Sequence, residues 1–487
     1  MKIAVIGSFL IAILHSILFY GQKLGGSVIL FCLALGFFLI YILDKNNKIK
    51  NQKALLLCLP ILLISATYFI FNNSFFYIAN IVTIIILFIL MVILAVFDKT
   101  TIGLIINKVV YLVLGPIEFL EEAIGSIIEV ISNLFKKKEA SKEKNEKIRK
   151  IILGVLITIP ILIIVLILLS SADSIFSSEL KEVIDTIFSL DIFESETYVN
   201  LFFRIIIILI ITVYLIALLY NILEDNFCEK DTSEKRKWTL DATIGNTILT
   251  ILNLVYLVFC YIQISVLFMK TGNLQNFDYA NYARQGFFQL MAVSIINLII
   301  ILITSKKNET NKKISYTKIM NLLLAVFTLI ILFSSFYRMH LYEQEYGYTF
   351  LRLMVYFALI TEAILIIPTV MYILDININL TKTYFVVIII MYIVVNYINI
   401  DNMIAKKNID RYFEDNSETY ELDMNYLQTL SIDGAKQIKR LKDTTDENIM
   451  NQVEYYLNHV KSETENITWQ SFNINKIIAM NELKGVE

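Results

Sequence analysis

The stretch FFYIANIVTIIILFILMVILAVF, residues 75–97, decides the fold class because it runs for 23 residues without a charged side chain. A helix needs about 20 apolar residues to cross a hydrocarbon core, where only hydrogen bonds within the segment satisfy the backbone. The whole chain has the same character, since 57% of its 487 residues are hydrophobic and only 18% are charged. The sequence therefore predicts an all-α integral membrane protein. It excludes a soluble enzyme, a disordered chain, a collagen-like rod and a disulfide scaffold.

Apolar runs of similar length recur along the chain and predict about eleven transmembrane helices. The first run follows Met1 and Lys2 as a signal peptide would. No small-x-small cleavage site follows it and a second run begins at once, so we interpret it as an uncleaved first helix. The predicted spans are 3–20, 25–43, 54–71, 75–97, 151–170, 200–220, 244–268, 286–304, 319–336, 350–373 and 383–399.

Basic loops alternate with loops that are poor in Lys, and this alternation predicts the orientation of the spans. The loop 72–74 has no Lys, and 171–199 has only Lys181. Because loops rich in Lys and Arg stay in the cytoplasm, we expect a cytoplasmic N-terminus and an extracytoplasmic C-terminus in a bacterial plasma membrane. The basic clusters lie in the loops 44–53, 136–150, 221–238 and 305–318.

Residues 101–135 are apolar but are interrupted by charged residues and by Gly115-Pro116, which predicts one or two helices lying in the cytoplasmic interface. The basic run that begins at Lys136 can meet anionic headgroups there. The alternative is a pair of helices packed on neighbouring loops. The predicted organisation is an N-terminal four-helix membrane module (1–100), cytoplasmic interfacial helices with a basic loop (101–150), a seven-helix membrane core (151–399) and a small helical extracytoplasmic tail (400–487).

The tail is polar, but apolar residues recur in it at helical spacing. Asp423 and Asp446 each precede a segment that they could cap, and a third helix is expected after Trp469. A segment this short rarely has a sufficient core of its own, so we expect it to pack on outer loops or on a partner. The periodic residues are Ala435, Ile438, Leu441, Ile449, Val453, Leu457 and Val460.

Arginine and acidic residues concentrate at the span boundary that the topology assigns to the outside, whereas the cytoplasmic loops use Lys almost throughout. Arg pairs bidentately with carboxylate or phosphate and tolerates partial burial better than Lys. The pattern predicts an outer-face polar network, which is either a ligand or coupling site or a set of structural ion pairs and snorkelling arginines. Its members are Asp173, Arg204, Arg284, Arg338, His340, Glu343, Glu345 and Arg352.

Glu362 is an intramembrane acid, because it lies near the middle of the tenth predicted span. Arg352 precedes it by ten residues, which is about 15 Å along a helix axis and too far for a pair within that helix. Ionisable residues at such depth are costly and are usually paired or functional. Glu362 is thus either a proton or cation relay or a carboxyl group bonded to a neighbouring helix, with Asn253 and Gln263 as candidate partners.

Metal, cofactor and nucleophile chemistry has little support in the sequence. The three His and four Cys have no metal-type spacing, and the 42 basic residues nearly balance the 44 acidic ones. Gly-rich phosphate loops and Gly-x-Ser-x-Gly, His-Glu-x-x-His and Cys-x-x-Cys motifs do not occur. We expect no cofactor, no metal and no nucleic-acid partner, and the sequence favours a non-enzymatic protein over an enzyme. The expected partners are the lipid bilayer and another membrane or extracytoplasmic protein bound through residues 400–487.

Several motifs between about residues 150 and 475 resemble a known family in their order and spacing. The family is the bacterial membrane family of domain of unknown function 4173, within the wider group numbered 4153. The resemblance implies a polytopic bacterial membrane protein with a helical C-terminal segment and no established activity. The motifs are Leu252-Asn253-Leu254, Tyr261-Ile262-Gln263, Tyr282-Ala283-Arg284-x-Gly286-Phe287-Phe288, Tyr346-Gly347-x-Thr349-x-Leu351-Arg352, Leu430-Ser431-x-Asp433 and Trp469-x-x-Phe472-Asn473.

Three functions from different classes fit these features. The first is a non-enzymatic ligand- or partner-binding, sensing or accessory protein that uses the outer-face polar network and the tail. The second is a secondary transporter or channel with Glu362 as its proton or cation group. The third is an intramembrane enzyme acting on lipid, with His340 and Glu343 three residues apart as an acid/base pair. The concentration of Arg and acid at one boundary favours the first.

Overall fold

Helices form the regular secondary structure throughout the described residues, which confirms the predicted all-α fold for this part of the chain. A helix bonds its own backbone groups within one segment, so it is the form that an apolar run adopts in lipid. The computed structural model of the protein describes residues 2–97, 102–134, 196–223, 242–268, 287–305, 315–414, 422–444, 446–465 and 467–484.

The described α-helices are numbered here in chain order. Short 3-10 turns lie between some of them, and two of these turns, Gln52–Leu57 and Gly115–Phe119, lead directly into α3 and α6. The helices are α1 (Lys2–Phe19), α2 (Ser27–Lys45), α3 (Cys58–Ile70), α4 (Ser74–Val96), α5 (Ile102–Leu114), α6 (Leu120–Leu134), α7 (Glu196–Leu223), α8 (Ala242–Phe268), α9 (Phe287–Thr304), α10 (Tyr316–Tyr346), α11 (Phe350–Ile373), α12 (Leu380–Asn396), α13 (Ile400–Glu414), α14 (Met424–Leu427), α15 (Ala435–Ile438), α16 (Glu447–Thr464) and α17 (Ile474–Lys484).

Nine helical segments of the described chain are long and apolar enough to cross a membrane. They coincide with the first four predicted spans and with the sixth to the tenth. Helix α12, which covers the eleventh predicted span, meets α13 at a bend of 56°, and this pair makes a tenth candidate if it is one span. The fifth predicted span, 151–170, lies outside the described residues. The protein is therefore a multi-pass helical membrane protein.

Helices α5 and α6 occupy the region where the sequence predicts one or two interfacial helices. Helix α6 carries Glu121 and Glu129 on one side, whereas Ala123 and Ile124 are buried in a cluster with Ile216 of α7. An amphipathic helix of this kind fits both an interfacial position and packing on protein. The interfacial position of 101–135 stays a prediction.

The chain divides into two compact units. The first unit comprises 1–70, 77–232 and 467–474, and in it α1 packs along α7 around a cluster that includes Val5 and Ile216. The second unit comprises 71–76, 233–466 and 475–487. Its helices α8 and α9 pack on α10, which packs on α11 around buried residues such as Leu324 and Leu359.

The tail forms an apolar core within the second unit, as its periodicity predicts. Six of its seven predicted core residues are buried, and Ile449 packs against them. Both predicted caps are confirmed, because Asp423 accepts a hydrogen bond from the amide of Tyr426 and Asp446 accepts one from that of Asn448, each at 2.9 Å. Helix α17 follows Trp469, also as predicted.

Candidate functional site

The turn between α10 and α11 in the second unit brings several predicted site residues together. Gly347 ends α10 with a φ of +75°, a conformation that glycine adopts without strain. The guanidinium of Arg352 donates to the carbonyl oxygens of Tyr346, at 2.9 Å, and of Gly347. It also lies 4.4 Å from the ring centroid of Tyr342. Arg352 therefore stabilises the turn through its backbone carbonyl oxygens. Within the described residues it forms no ion pair with a carboxylate.

Glu343 is the buried acid of the same turn. Its carboxylate accepts a hydrogen bond from the Tyr356 hydroxyl at 3.1 Å and lies 3.5 Å from Nδ1 of the half-exposed His340. Burial, followed by hydrogen bonding and the charge of Glu343, raises the pKa of the Tyr348 hydroxyl to about 12. This group of a carboxylate, an imidazole and two phenols can exchange a proton or hold a cationic ligand.

Of the remaining predicted members of the outer-face polar network, Arg338 and Glu345 lie on α10 before this turn, and two others lie beyond the described residues. Nη2 of Arg338 donates to Oε1 of Gln263 at 3.1 Å, and the Ser334 hydroxyl donates to the same oxygen at 2.7 Å. Glu345 is exposed at the end of α10. Asp173 and Arg284 lie outside the described residues. The structure thus brings Arg338 into the contact between α8 and α10, one to two helical turns before the cluster around Glu343.

Glu362 is buried in α11, where the hydroxyl of Ser294 on α9 donates to its carboxylate. The predicted partners, Asn253 and Gln263, are wrong. Gln263 bonds to α10, and Nδ2 of Asn253 donates to the carbonyl oxygen of Met320 at 3.0 Å. The physical reason is helix pairing, because α9 packs on α11 whereas α8 packs on α10.

A series of polar side chains links α8, α9 and α10 along the membrane core, and we call it the polar seam. Asn297 of α9 accepts from the Tyr256 hydroxyl at 2.8 Å and donates to the Thr328 hydroxyl at 3.1 Å. Ser294 precedes Asn297 by one helical turn, so Glu362 borders the seam. The members of the polar seam are Asn246, Thr250, Asn253, Tyr256, Gln263, Asn297, Thr304, Tyr316, Thr317, Asn321, Thr328 and Ser334.

Arg204 belongs to the first unit, where it lies near the start of α7. Its Nη2 donates to the carbonyl oxygen of Ser16 at 3.3 Å, and its guanidinium lies 5.3 Å from the ring centroid of Tyr20. The Tyr20 hydroxyl is 3.5 Å from Oδ1 of Asn200, one turn before Arg204 on α7. Arg204 is thus held against the end of α1.

The tail is attached to the turn between α10 and α11 by hydrogen bonds from α13 and α14. Oδ1 of Asn408 accepts from the amide of Tyr348, and Nδ2 of Asn408 donates to the carbonyl of Tyr348, both at 2.8 Å. The amide of Phe350 donates to the Tyr426 hydroxyl at 2.7 Å. These contacts place a tail helix directly beside the Arg352 and Glu343 cluster.

Two buried carboxylates attach the tail to the loop between α3 and α4. Asp433 accepts from the backbone amide of Asn72 at 2.8 Å and from its side-chain amide at 3.0 Å. Asp401 accepts from Nδ2 of Asn73 at 2.8 Å. Burial raises the pKa of the Asp433 carboxyl, and the hydrogen bonds from Asn72 oppose this effect. Both Asp401 and Asp433 are therefore structural anchors of the tail.

Sequence reasoning did not single out Asp401 or Asn408 as site residues, and it met Asp433 only within a family motif. The one local signal was Asn72-Asn73, two amide side chains placed between two apolar runs. A side-chain amide that bonds to a backbone group far away in the chain, as Asn408 does, produces no periodic pattern in the sequence. Its partner can therefore be identified only from the structure.

Most of the chain matches a known family. The model of the domain of unknown function DUF4153 matches residues 58–441. The protein belongs to the DUF4153 family. No curated protein and no solved structure matches the chain significantly.

The DUF4153 match contains the Glu343 and Arg352 cluster, Glu362 and the first part of the tail. In the described part of the chain, no group of three or more His, Cys, Asp or Glu side chains is arranged to hold a metal ion. What the DUF4153 region offers chemically is a carboxylate next to an imidazole at a helix turn, a polar seam through the core and a tail that contacts this turn.

Proposed function

We propose that this DUF4153 protein is a non-enzymatic ligand- or partner-binding protein of the plasma membrane, with a sensing or accessory role. The observation that carries the proposal is the pair of hydrogen bonds between the Asn408 side chain and the backbone of Tyr348. It joins the tail to the turn that also contains Arg352 and Glu343. Any partner that moves α13 therefore acts on the ends of α10 and α11.

The proposed topology has a cytoplasmic N-terminus and an extracytoplasmic tail. The distribution of Lys among the loops supports it. In this topology the loop 71–73 and the turn 347–349, to which the tail bonds, lie on the same side of the membrane as the tail. We also propose the four-part organisation 1–100, 101–150, 151–399 and 400–487, and the amphipathic character of α6 supports an interfacial role for its second part.

We propose that the position of the tail is coupled to the conformation of the turn between α10 and α11, and that this turn has two arrangements. With the tail attached, Tyr348 is bonded to Asn408 and its hydroxyl lies next to Glu343. A partner that prefers the tail in another position draws population away from this arrangement by its difference in affinity. Loss of the Tyr348 contact leaves Glu343 with fewer donors, which changes its interaction with His340.

Crosslinking within cells tests the partner hypothesis. A photoreactive residue in place of Tyr455, which is 73% exposed on α16, samples the surface of the tail. The same residue in place of Phe37, which is 74% exposed on α2, is the matched control for contacts with lipid. We expect purification in mild detergent and mass spectrometry to identify a stoichiometric protein at 455 and none at 37. Lipid alone at both positions would contradict the proposal.

The second candidate function is a secondary transporter or channel in which Glu362 carries a proton or cation. The observation that favours it is the bond between Ser294 and Glu362 beside the polar seam. Proton relays in membrane proteins use ionisable side chains that face water-filled cavities. The hydroxyl and amide groups of the seam can bind such water, and Glu362 would be the ionisable group beside it. Flux in liposomes for the wild type and for Glu362→Gln separates this function from the first, because a binding protein has no flux to lose.

We further propose that the chain belongs to the narrower group DUF4173 within DUF4153. The motifs at 282–288 and 346–352 support this assignment. A profile of the narrower group should align its arginines and glycines with Arg284, Gly347 and Arg352. A profile that leaves these three positions unaligned would contradict it.

A further inference from the structure

Among the described residues, Arg204 has far fewer acceptors than a guanidinium can use. The group carries five N–H donors, and in the described part of the chain one carbonyl oxygen, that of Ser16, accepts from it. Its Nε has no hydrogen-bond partner among these residues. No carboxylate of the described residues pairs with it either. The cation is instead held by the ring of Tyr20, which fixes its orientation without neutralising its charge.

Asn200 provides a second donor on the same face of α7. It precedes Arg204 by four residues, a spacing that places two side chains one above the other on a helix. Its Oδ1 faces the hydroxyl of Tyr20 at 3.5 Å, so its Nδ2 is directed to the opposite side of the amide group. Asn200 is exposed, and Nδ2 is therefore open to an acceptor outside the protein.

The surroundings of this pair are exposed and apolar. The neighbours of Arg204 on α7 are large apolar side chains, and their exposed fractions lie between 42% and 50%. Such a belt is expected where a span meets acyl chains. In the predicted topology, a cation at this end of α7, with donors that no described residue accepts from, is expected at the depth of the headgroups. The exposed neighbours are Leu201, Phe202, Phe203 and Ile205.

We infer that Arg204 and Asn200, framed by Tyr20, form a binding site for the phosphate group of a phospholipid. A phosphodiester has two non-bridging oxygens that share one negative charge, and these can accept from a guanidinium fork and a side-chain amide. The acyl chains then lie along the exposed apolar side chains of α7. This site is independent of the function proposed above, because it lies in the first unit and involves none of the tail contacts.

The test uses the full-length protein in detergent, stripped of lipid, and follows its midpoint of thermal unfolding as ligands are added. The probes are dioctanoyl-phosphatidylglycerol, dioctanoyl-phosphatidylcholine, dioctanoylglycerol and inorganic phosphate. We expect both phospholipids to raise the midpoint saturably, because a ligand that binds the native state stabilises it. Dioctanoylglycerol and inorganic phosphate should not. Arg204→Gln should weaken the apparent lipid affinity roughly tenfold, the effect of one lost charge-assisted pair.

A matched control is Arg440→Gln in the tail. The guanidinium of Arg440 already has a carboxylate partner, because its Nη1 lies 2.6 Å from Oδ1 of Asp410. It should leave the lipid affinity unchanged. Should Arg204→Gln not fold, Asn200→Ala removes only the amide donor and should weaken lipid binding while keeping the fold. An equal shift with inorganic phosphate would assign the site to a free anion and overturn the lipid assignment. Wild-type lipid affinity in both variants, or an equal shift with dioctanoylglycerol, would overturn the site itself.

Discussion

Asn408 and Tyr348 are joined by two hydrogen bonds of 2.8 Å, one in each direction between a side-chain amide and a backbone peptide. The side chain thus satisfies both polar groups of one residue in a turn, as a neighbouring strand would. Asn408 is only 5% exposed, so water cannot replace it. The tail therefore completes the hydrogen bonding of the turn instead of only packing against it.

Replacement of Asn408 should release the turn. In Asn408→Ala the amide and carbonyl of Tyr348 lose their partners, and we expect the attachment of the tail to weaken by about 2–3 kcal/mol. Hydrogen exchange of the Tyr348 amide measures this directly, because its protection should fall while that of the α10 interior is retained. Asn402→Ala, which removes a single contact with Gln437, is the control that should leave the Tyr348 amide protected. Unchanged protection in Asn408→Ala would contradict the role of this pair.

In the first unit, the segment 467–474 caps the start of α2. The amides of Gly26 and Ser27 donate to the carbonyls of Phe472 and Gln470 at 3.0 and 3.1 Å. These amides are among the donors that a helix leaves without an internal partner at its N-terminus. The backbone approach requires a residue without a side chain at position 25.

Gly25→Ala should therefore displace the segment 467–474. A Cβ on Gly25 would lie 2.5 Å from the carbonyl carbon of Ser471, and backbone cannot move aside as a side chain can. We expect the amides of residues 26 and 27 to lose exchange protection and the protein to lose about 2 kcal/mol of stability. Gly26→Ala is a matched neighbour. Its Cβ would lie 3.1 Å from the ring of Phe69 and at an ordinary 3.8 Å from the carbonyl oxygen of Phe472, so its effect should be smaller. Equal effects of the two substitutions would argue against this explanation.

Most of the membrane architecture could be predicted from the sequence, because a span depends on one local property. Run length and charge predicted nine of the spans that the described residues contain, and the side-chain chemistry of Asp423 and Asp446 identified two helix starts in the tail. Each of these features depends on residues that are neighbours in the chain. The boundary where Arg338, Glu343 and Arg352 concentrate was visible for the same reason.

The partners of these residues could not be predicted in the same way. Glu362 bonds to Ser294 because α9 packs on α11, and hydropathy contains no information about which spans are adjacent. Arg352 bonds to carbonyl oxygens of its own turn, although its residue type suggested an acid. Backbone acceptors are the same at every position of a sequence, so the choice between a carbonyl and a carboxylate depends on the fold.

The attachment of the tail through Asp433 should depend on pH. Burial raises the pKa of this carboxyl above its value in the unfolded chain, so the folded state holds a proton over a range where the unfolded state has lost it. The stabilising contribution of protonation is then present at low pH and is lost as the pH rises through the raised pKa. We expect exchange protection in residues 431–435 to increase on acidification across this range.

Asp433→Asn tests the origin of that dependence, because it keeps the shape of the side chain and cannot titrate. The protection of residues 431–435 should become flat across the same range in this variant. Asp423→Asn alters an exposed cap and is the control that should retain the wild-type profile. A wild-type profile in Asp433→Asn would assign the titration to a different group.

Substitutions of Glu362 and Ser294 distinguish a role of Glu362 in transport from a purely structural role. Glu362→Gln keeps an acceptor for the Ser294 hydroxyl, so we expect its stability to stay within about 1 kcal/mol of the wild type. Ser294→Ala removes the donor and should cost about 1–3 kcal/mol, because the buried carboxyl loses its hydrogen bond. If Glu362 carries a proton, Glu362→Gln should abolish flux driven by a pH gradient in liposomes, whereas the less stable Ser294→Ala should retain part of it.

The control for this experiment is Glu345→Gln, which changes an exposed carboxylate at the end of α10. Wild-type flux in Glu362→Gln would leave Glu362 a structural carboxyl group, and loss of flux in proportion to stability across all three variants would argue equally against a relay.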